Sequence, residues 1–183
     1  MPVTTPARTA LDLARYSPGF VGLAALDAFA HQGTVERRDL VARCRALAGG
    51  RNIARARRLV ELCEPATESA GESWLRLRIF EAGLPLPEPQ ISIRDRHGRE
   101  VYPLDMGYRD QKVAIEYDGE AFHHSSAEQQ RSDLHRRDDL ERQFGWTVVG
   151  VHRGDVLGRR NDLERTVAEL IAFDKPVLAR QQW

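Results

Sequence analysis

Lysine, cysteine and aromatic residues are scarce in this chain of 183 residues. Only Lys112 and Lys175 are lysines, and the other basic residues are arginines, a bias more typical of a GC-rich genome than of a particular chemistry. Cys44 and Cys63 stand apart without a CxxC pattern, so the sequence predicts neither a zinc site nor a disulfide framework. Basic and acidic residues number 27 each, and this balance neither favours nor excludes a polyanionic partner.

Long apolar runs are also absent. The apolar segment of residues 20–30 contains Asp27, and the N-terminus lacks a basic start followed by an apolar core. The sequence therefore predicts neither a signal peptide nor a membrane span, and we expect a cytoplasmic location. With 42% hydrophobic residues, the chain can bury the core of one domain, or of one domain and a small appendage.

Helix signals dominate residues 1–65, which we predict to form an all-helical region. Thr5-Pro6 and Ser17-Pro18 each place a hydroxyl before a proline, a pattern typical of helix starts. Apolar residues then recur at helical spacing, and glycines and Pro65 mark the stops. The arginines of residues 55–58 are interpreted as a solvated helix face, with phosphate contact as the alternative.

The pattern changes over residues 66–183, where we predict an α/β domain. Ser69 followed by Glu72 matches a capping box and opens an amphipathic helix. Three strands, a charged helix, a strand and a last helix are predicted next, at about residues 90–94, 100–108, 113–118, 127–144, 146–152 and 161–173. The predicted fold class is therefore α/β, with the order α-β-β-β-α-β-α after the all-helical N-terminal region.

The third predicted strand carries two carboxylates on one face. In an extended strand Glu116 and Asp118 point to the same side. If Asp110-Gln111 is the centre of a hairpin, Asp105 lies opposite Glu116 with Cβ atoms roughly 5 Å apart. Such like charges repel, and a hard cation such as Mg²⁺ or Mn²⁺ would offset the repulsion and activate water. The alternative is a wet sheet face on which arginines pair with the carboxylates.

Three segments of this part resemble the domain of unknown function 559 family, namely LDMGY, VAIEYDGEAFH and DLHRRDDLERQFGWTVVGV. That family is related to very-short-patch-repair endonucleases and belongs to the PD-(D/E)xK, or restriction-endonuclease-like, superfamily. The resemblance covers about residues 68–172 and implies a restriction-endonuclease-like αβββαβ core, in agreement with the predicted element order. It also implies a Mg²⁺-dependent endodeoxyribonuclease that hydrolyses DNA phosphodiesters.

The resemblance implies a set of catalytic residues as well. Glu72 matches the first acidic residue of the superfamily. Asp105 and Glu116 match its metal-binding Asp and the acidic residue of the second half-motif, so both are expected metal ligands. Asp118 stands at the position of the motif's lysine, where it could ligate a metal instead. Lys112 is not an obvious substitute, because four strand residues place it about 13 Å from Glu116.

A histidine and two arginines complete the expected site. His123 matches a histidine of the related family and is expected as an accessory general base, with a structural role at a helix start as the alternative. Arg136 could reach a phosphate or a metal-site carboxylate, or pair with Asp133 or Asp139 on the helix surface. Arg136 and Arg137 are candidates for contact with nucleic acid.

The segment VTTPARTALDLARY resembles the part of AbiEi-type antitoxin-like proteins that follows a winged-helix module. That module would precede Val3, so we expect either a fragment or a shorter protein without it. Two functions follow: a metal-dependent DNA endonuclease, or a non-catalytic antitoxin-type regulator that binds DNA or a protein partner of a toxin–antitoxin or defence system. The missing lysine favours the regulator, whereas the acidic residues and His123 favour the nuclease. A structural partner in a complex is a third alternative.

Overall fold

The computed structural model of the protein describes residues 3–119 and 127–180, without the side chains of residues 127–130. Within these residues the chain forms eight helices and four strands, a mixed α/β architecture with a helical N-terminal region as predicted. Within the described residues the chain divides into two compact units, one of residues 3–77 and one of residues 78–180, and each is described by itself. The domains predicted at residues 1–65 and 66–183 stay a prediction.

The first unit holds α1 (Pro6–Tyr16), α2 (Gly19–His31), α3 (Arg37–Ala46), α4 (Ile53–Leu62) and most of α5 (Ala70–Glu81). Thr5 caps α1 as predicted, because its hydroxyl accepts a hydrogen bond from the amide of Arg8. The second predicted cap is wrong: Pro18 occupies the N-cap of α2, where no side chain caps the helix, and Ser17 ends α1. Aliphatic side chains of the helices form one core, including Leu11, Leu23, Leu26, Leu40 and Leu59.

Arginines close several helix C-termini in this unit. Arg55 donates to three carbonyl oxygens at the end of α1, at 2.5–3.3 Å. Arg57 donates to a carbonyl oxygen of α3 at 3.1 Å, and Arg37 to two at the end of α4, at 2.8 and 3.1 Å. A helix end leaves such carbonyls without intrahelical partners, so these donors satisfy them. Arg55 and Arg57 are exposed as predicted, yet their guanidinium groups bind backbone carbonyl oxygens, a role that the sequence did not predict.

A buried carboxylate joins three segments of the first unit. Asp27 of α2 accepts hydrogen bonds from the amide of Glu64 at 2.8 Å and from the hydroxyl of Ser73 at 2.7 Å. It also accepts from Nη1 of Arg76 at 3.3 Å. Burial raises the pKa of Asp27 to about 6 in spite of these donors.

The second unit contains a mixed sheet of β1 (Glu88–Arg94), β2 (Glu100–Tyr108), β3 (Val113–Tyr117) and β4 (Thr147–Val151), in the order β1-β2-β3-β4. Strand β2 pairs antiparallel with both β1 and β3, and β3 pairs with β4 in parallel. Helix α6 (Ala127–Arg142) connects β3 to β4, and α7 (Arg153–Leu157) and α8 (Asp162–Leu170) follow. The predicted element order is therefore observed, with the short α7 added. A specific restriction-endonuclease-like core stays a prediction.

The core of the second unit packs α6 against the sheet. It joins Ile91, Leu104 and Ala114 of the strands to Leu140 of α6 and to Trp146. Trp146 is only 6% exposed and is part of this core. Among the helices that the structure describes, none combines the length and apolar character needed to cross a membrane.

Candidate functional site

Strands β2 and β3 meet in the register that the sequence predicts. Met106 pairs with Ile115, as in a hairpin centred on residues 110–111, and the pairing ends there. Asp105 is the next residue of β2, and its Oδ2 accepts a hydrogen bond from the amide of Tyr117 at 2.9 Å. The carboxylate of Asp105 therefore reaches the backbone directly after Glu116.

Glu116 is buried in a bidentate ion pair with α6. Nη1 and Nη2 of Arg136 lie 2.8 and 2.5 Å from its Oε2 and Oε1. The same guanidinium donates to the carbonyl oxygen of Pro103 at 2.6 Å and lies 5.9 Å from the ring centre of Tyr102. The hydrogen bonds to Glu116, and the charges of Glu116 and Asp105, raise the pKa of Arg136. A fixed positive charge is thus held between these two carboxylates.

Asp118 pairs with the next arginine of α6. Nη2 of Arg137 lies 3.2 Å from its Oδ2. Gly150 of β4 leaves the space for this pair, because a Cβ atom there would lie 2.8 Å from that carboxylate oxygen and 3.0 Å from Nη2. Nδ1 of His152 lies 3.3 Å from the carbonyl oxygen of Asp118. Consecutive arginines therefore partly neutralise both carboxylates of the predicted strand face.

The residues Asp105, Glu116, Asp118, Arg136 and Arg137 are called the acid–arginine cluster below. Mg²⁺ binds through carboxylate oxygens, but both oxygens of Glu116 accept hydrogen bonds from Arg136, and an added cation would be repelled by that guanidinium. Among residues 3–119 and 127–180, no group of three or more His, Cys, Asp or Glu side chains is arranged to hold a metal ion. The carboxylates as they lie do not fit a metal, and the predicted Mg²⁺ or Mn²⁺ site stays a prediction.

The other expected residues lie elsewhere in the chain. Glu72 is buried in the first unit, where its Oε2 accepts from the amide of Glu68 at 3.2 Å. The hydroxyl of Ser69 accepts from the amide of Glu72 at 3.2 Å, so half of the predicted capping box is observed. The carboxylate of Glu72 serves this helix start, and its catalytic role stays a prediction. His123 lies outside the residues that the structure describes.

The structure gives two arginines roles that the sequence left open or did not predict. Of the alternatives for Arg136, contact with a site carboxylate is the one observed, rather than pairing with Asp133 or Asp139. The matching role of Arg137 was missed, although the Arg136-Arg137 pair and the Glu-x-Asp spacing on β3 carried the signal. The spacing alone does not say which helix crosses the strand. Contact of Arg136 and Arg137 with nucleic acid stays a prediction.

Comparisons with known proteins bear on the helical part of the chain. Residues 1–62 match the family model of the AbiEi antitoxin C-terminal domain, which supports the antitoxin-like resemblance of that part. Two uncharacterized proteins of Mycobacterium tuberculosis, from strains CDC 1551 / Oshkosh and ATCC 25618 / H37Rv, are each 36% identical to the chain over 153 residues. The match covers 84% of this chain and 55% of each relative, so the chain spans about half the length of the curated relatives it matches. No solved structure matches the chain.

Proposed function

We propose that the chain is a non-catalytic regulator of antitoxin type, which acts by binding a partner and not by hydrolysing phosphodiesters. The observation that carries the proposal is the acid–arginine cluster, where Arg136 and Arg137 bind the carboxylates of Glu116 and Asp118. The similarity of residues 1–62 to the AbiEi antitoxin C-terminal domain supports the same reading.

Charge explains why this cluster suits binding better than hydrolysis. A metal-dependent nuclease needs a cation on its carboxylates, and further positive charge where the phosphate becomes more negative. In this chain Asp118 adds a negative charge at the position that the resemblance gives to a lysine, and the charge of Arg137 is directed to Asp118. Arg136 likewise satisfies Glu116. The arginines thus stabilise the fold of the second unit by joining α6 to the sheet.

The partner of this regulator is DNA or a protein of a toxin–antitoxin or defence system. Both partners belong to the same functional class, because in each case the chain contributes a surface and no chemical step. DNA is the partner favoured by a second surface of the molecule, which is lined by Arg94, Arg109 and Lys112.

A metal-dependent DNA endonuclease is the second candidate. One observation favours it: Asp105 and Glu116 lie near the same guanidinium. The charges of both carboxylates raise the pKa of Arg136, and Asp105 accepts a hydrogen bond from the amide that follows Glu116. These two carboxylates would hold Mg²⁺ or Mn²⁺ if Arg136 left the cluster. The other predicted catalytic residues of this nuclease would then be Glu72, Asp118 and His123.

A cleavage assay separates the two candidates. Purified protein is incubated with plasmid, duplex and single-stranded DNA in Mg²⁺ or Mn²⁺, beside the Asp105→Asn and Glu116→Gln variants. The regulator is expected to give no product above a protein-free control, and the variants are expected to match the wild type. Metal-dependent cleavage that both variants lose, and that Asp110→Asn in the adjacent turn retains, would establish the nuclease instead.

A further inference from the structure

A second polar surface lies at the opposite end of β3 from the acid–arginine cluster. It is an open cavity of about 550 Å³, called the hairpin groove below, and its lining includes Arg94, Arg109, Lys112, Phe144 and Trp146. Lys112 precedes the first residue of β3 and Asp118 follows the last. Six residue steps along an extended chain separate the two surfaces by roughly 20 Å. The groove is therefore a separate site.

Positive charge exceeds negative charge in the groove. Arg109 forms a bidentate pair with Glu88, at 2.6 and 2.7 Å. Arg94 has a looser contact with Glu100, whose Oε2 lies 3.9 Å from Nη2. The ammonium of Lys112 donates to a neutral group, a carbonyl oxygen at 2.9 Å. Three cations thus face two carboxylates, and the charge of Lys112 is available to an anion.

Lys112 is also held firmly in place. Its amide donates to the carbonyl oxygen of Arg109 at 3.2 Å, and its own carbonyl oxygen accepts from the amide of Thr147 at 2.8 Å. The ammonium lies beside Gly145, where a Cβ atom would stand 3.4 Å from Nζ, an ordinary contact distance. The backbone of Gly145 has φ +71°, which favours glycine at this position. A cation fixed at both ends loses little conformational freedom when it binds an anion.

Backbone strain points to the same surface. Among the residues that the structure describes, four that are not glycine have positive φ, and two of them, Gln90 (φ 48°) and Lys112 (φ 52°), line the groove. Such conformations are unfavourable for side chains other than glycine and asparagine, and they cluster at functional sites. This observation is independent of the charges.

We infer that the hairpin groove binds the phosphate backbone of duplex DNA. Trp146, which lines the groove, is only 6% exposed, so the groove suits contact with phosphates better than stacking on bases. Such contacts carry no sequence information of their own. The inference rests on the proposed function and names DNA as the partner. It also assigns the phosphate contacts to the groove and not to Arg136 and Arg137, the arginines expected from the sequence, because their guanidinium groups bind carboxylates.

Fluorescence anisotropy with a labelled duplex, over a series of salt concentrations, tests the inference. The variants are Lys112→Gln, Arg94→Gln and the double variant. Each lost phosphate contact should weaken binding about tenfold at 0.1 M salt and reduce the slope of log affinity against log salt by about 0.9. Lys112→Gly removes the same charge and relieves the positive φ, so it serves if Lys112→Gln folds poorly.

Arg160→Gln is the matched control, because Arg160 is an exposed arginine of the same unit that pairs with Asp162 outside the groove. It should bind DNA like the wild type. The inference would be overturned if the double variant kept the affinity and the salt slope of the wild type. It would also be overturned if the wild type showed no measurable DNA binding at low salt. A third contrary result would be groove variants that weaken the binding of an RNA of equal length but not the binding of DNA. None of these results bears on hydrolysis, so the proposed function is tested separately by the cleavage assay.

Discussion

At Asp27, the loss of water on burial outweighs the hydrogen bonds that the carboxylate accepts. Its pKa rises from the ordinary 3.8 to about 6, although Glu64, Ser73 and Arg76 all donate to it. The folded protein therefore holds this proton more tightly than the unfolded chain does. The resulting stabilisation is fully present below about pH 4 and is lost as the pH rises through 6.

The first prediction follows from that shift. The free energy of unfolding of the wild type, relative to Asp27→Asn, should fall by about 3 kcal/mol between pH 4 and pH 7 and then level off. Urea unfolding at a series of pH values measures the difference. Glu88→Gln is a control for which the difference in unfolding free energy should rise with pH, because the hydrogen bond from Arg109 lowers the pKa of Glu88. A pH-independent difference for Asp27→Asn would contradict the assignment.

At the scale of the element, arginines determine how helices end. Arg55 holds three carbonyl oxygens at the end of α1, although it lies about forty residues further along the chain. Its planar guanidinium donates in several directions at once, which an ammonium group cannot reproduce in the same geometry. The link fixes α4 against the end of α1.

Replacing this residue should therefore be costly in spite of its exposure. Arg55→Ala is expected to lower the free energy of unfolding by about 2 kcal/mol, and Arg55→Lys to recover less than half of that loss. Arg58 on the same helix is also exposed, and Arg58→Ala should change the free energy of unfolding by less than about 0.5 kcal/mol. Urea unfolding of the three variants tests the cap, and equal effects of Arg55→Ala and Arg58→Ala would exclude it.

The docking of α6 on the sheet depends on the pair of Arg136 and Glu116. Their side chains are 27% and 9% exposed, so removing one partner leaves a largely buried charge without compensation. Arg136→Ala should cost about 3 kcal/mol of stability, whereas the double change Arg136→Met with Glu116→Leu should recover more than half of it. Urea unfolding measures both.

The control for this pair lies on the same helix. Arg142 and Asp138 form an ion pair with 77% and 49% exposed side chains, so Arg142→Ala should cost less than about 1 kcal/mol. A loss in Arg136→Ala no larger than in Arg142→Ala would show that the buried pair does not hold α6.

At the scale of the whole molecule, the sequence predicts the helices and strands better than the contacts between them. Strand β2 is observed at the predicted residues 100–108, because alternation of apolar residues and flanking turns are local signals. The hairpin register also follows from its turn. The short α7 was not predicted, since its five residues are too few for a helical pattern.

The site was predicted in part for a related reason. The carboxylates of Asp105 and Glu116 come close because they share a hairpin, which short-range spacing reveals. The arginines that pair with Glu116 and Asp118 come from α6, about twenty residues further along the chain, and no local pattern fixes the angle at which that helix crosses the sheet. The positive φ of Lys112 escaped prediction as well, because glycine and asparagine are the usual signals of that conformation.

Gly150 of β4 links the evolution of three positions in the chain. It is not among the glycines with positive φ, so its backbone does not require glycine. A larger residue would instead press on the Asp118–Arg137 pair, whose terminal atoms lie 2.8 and 3.0 Å from where a Cβ atom would stand and would have to shift. Substitutions at positions 118, 137 and 150 are therefore expected to be coupled: a lineage that lost either charge would be released from the glycine, and one that gained a side chain at 150 would have to shift the pair.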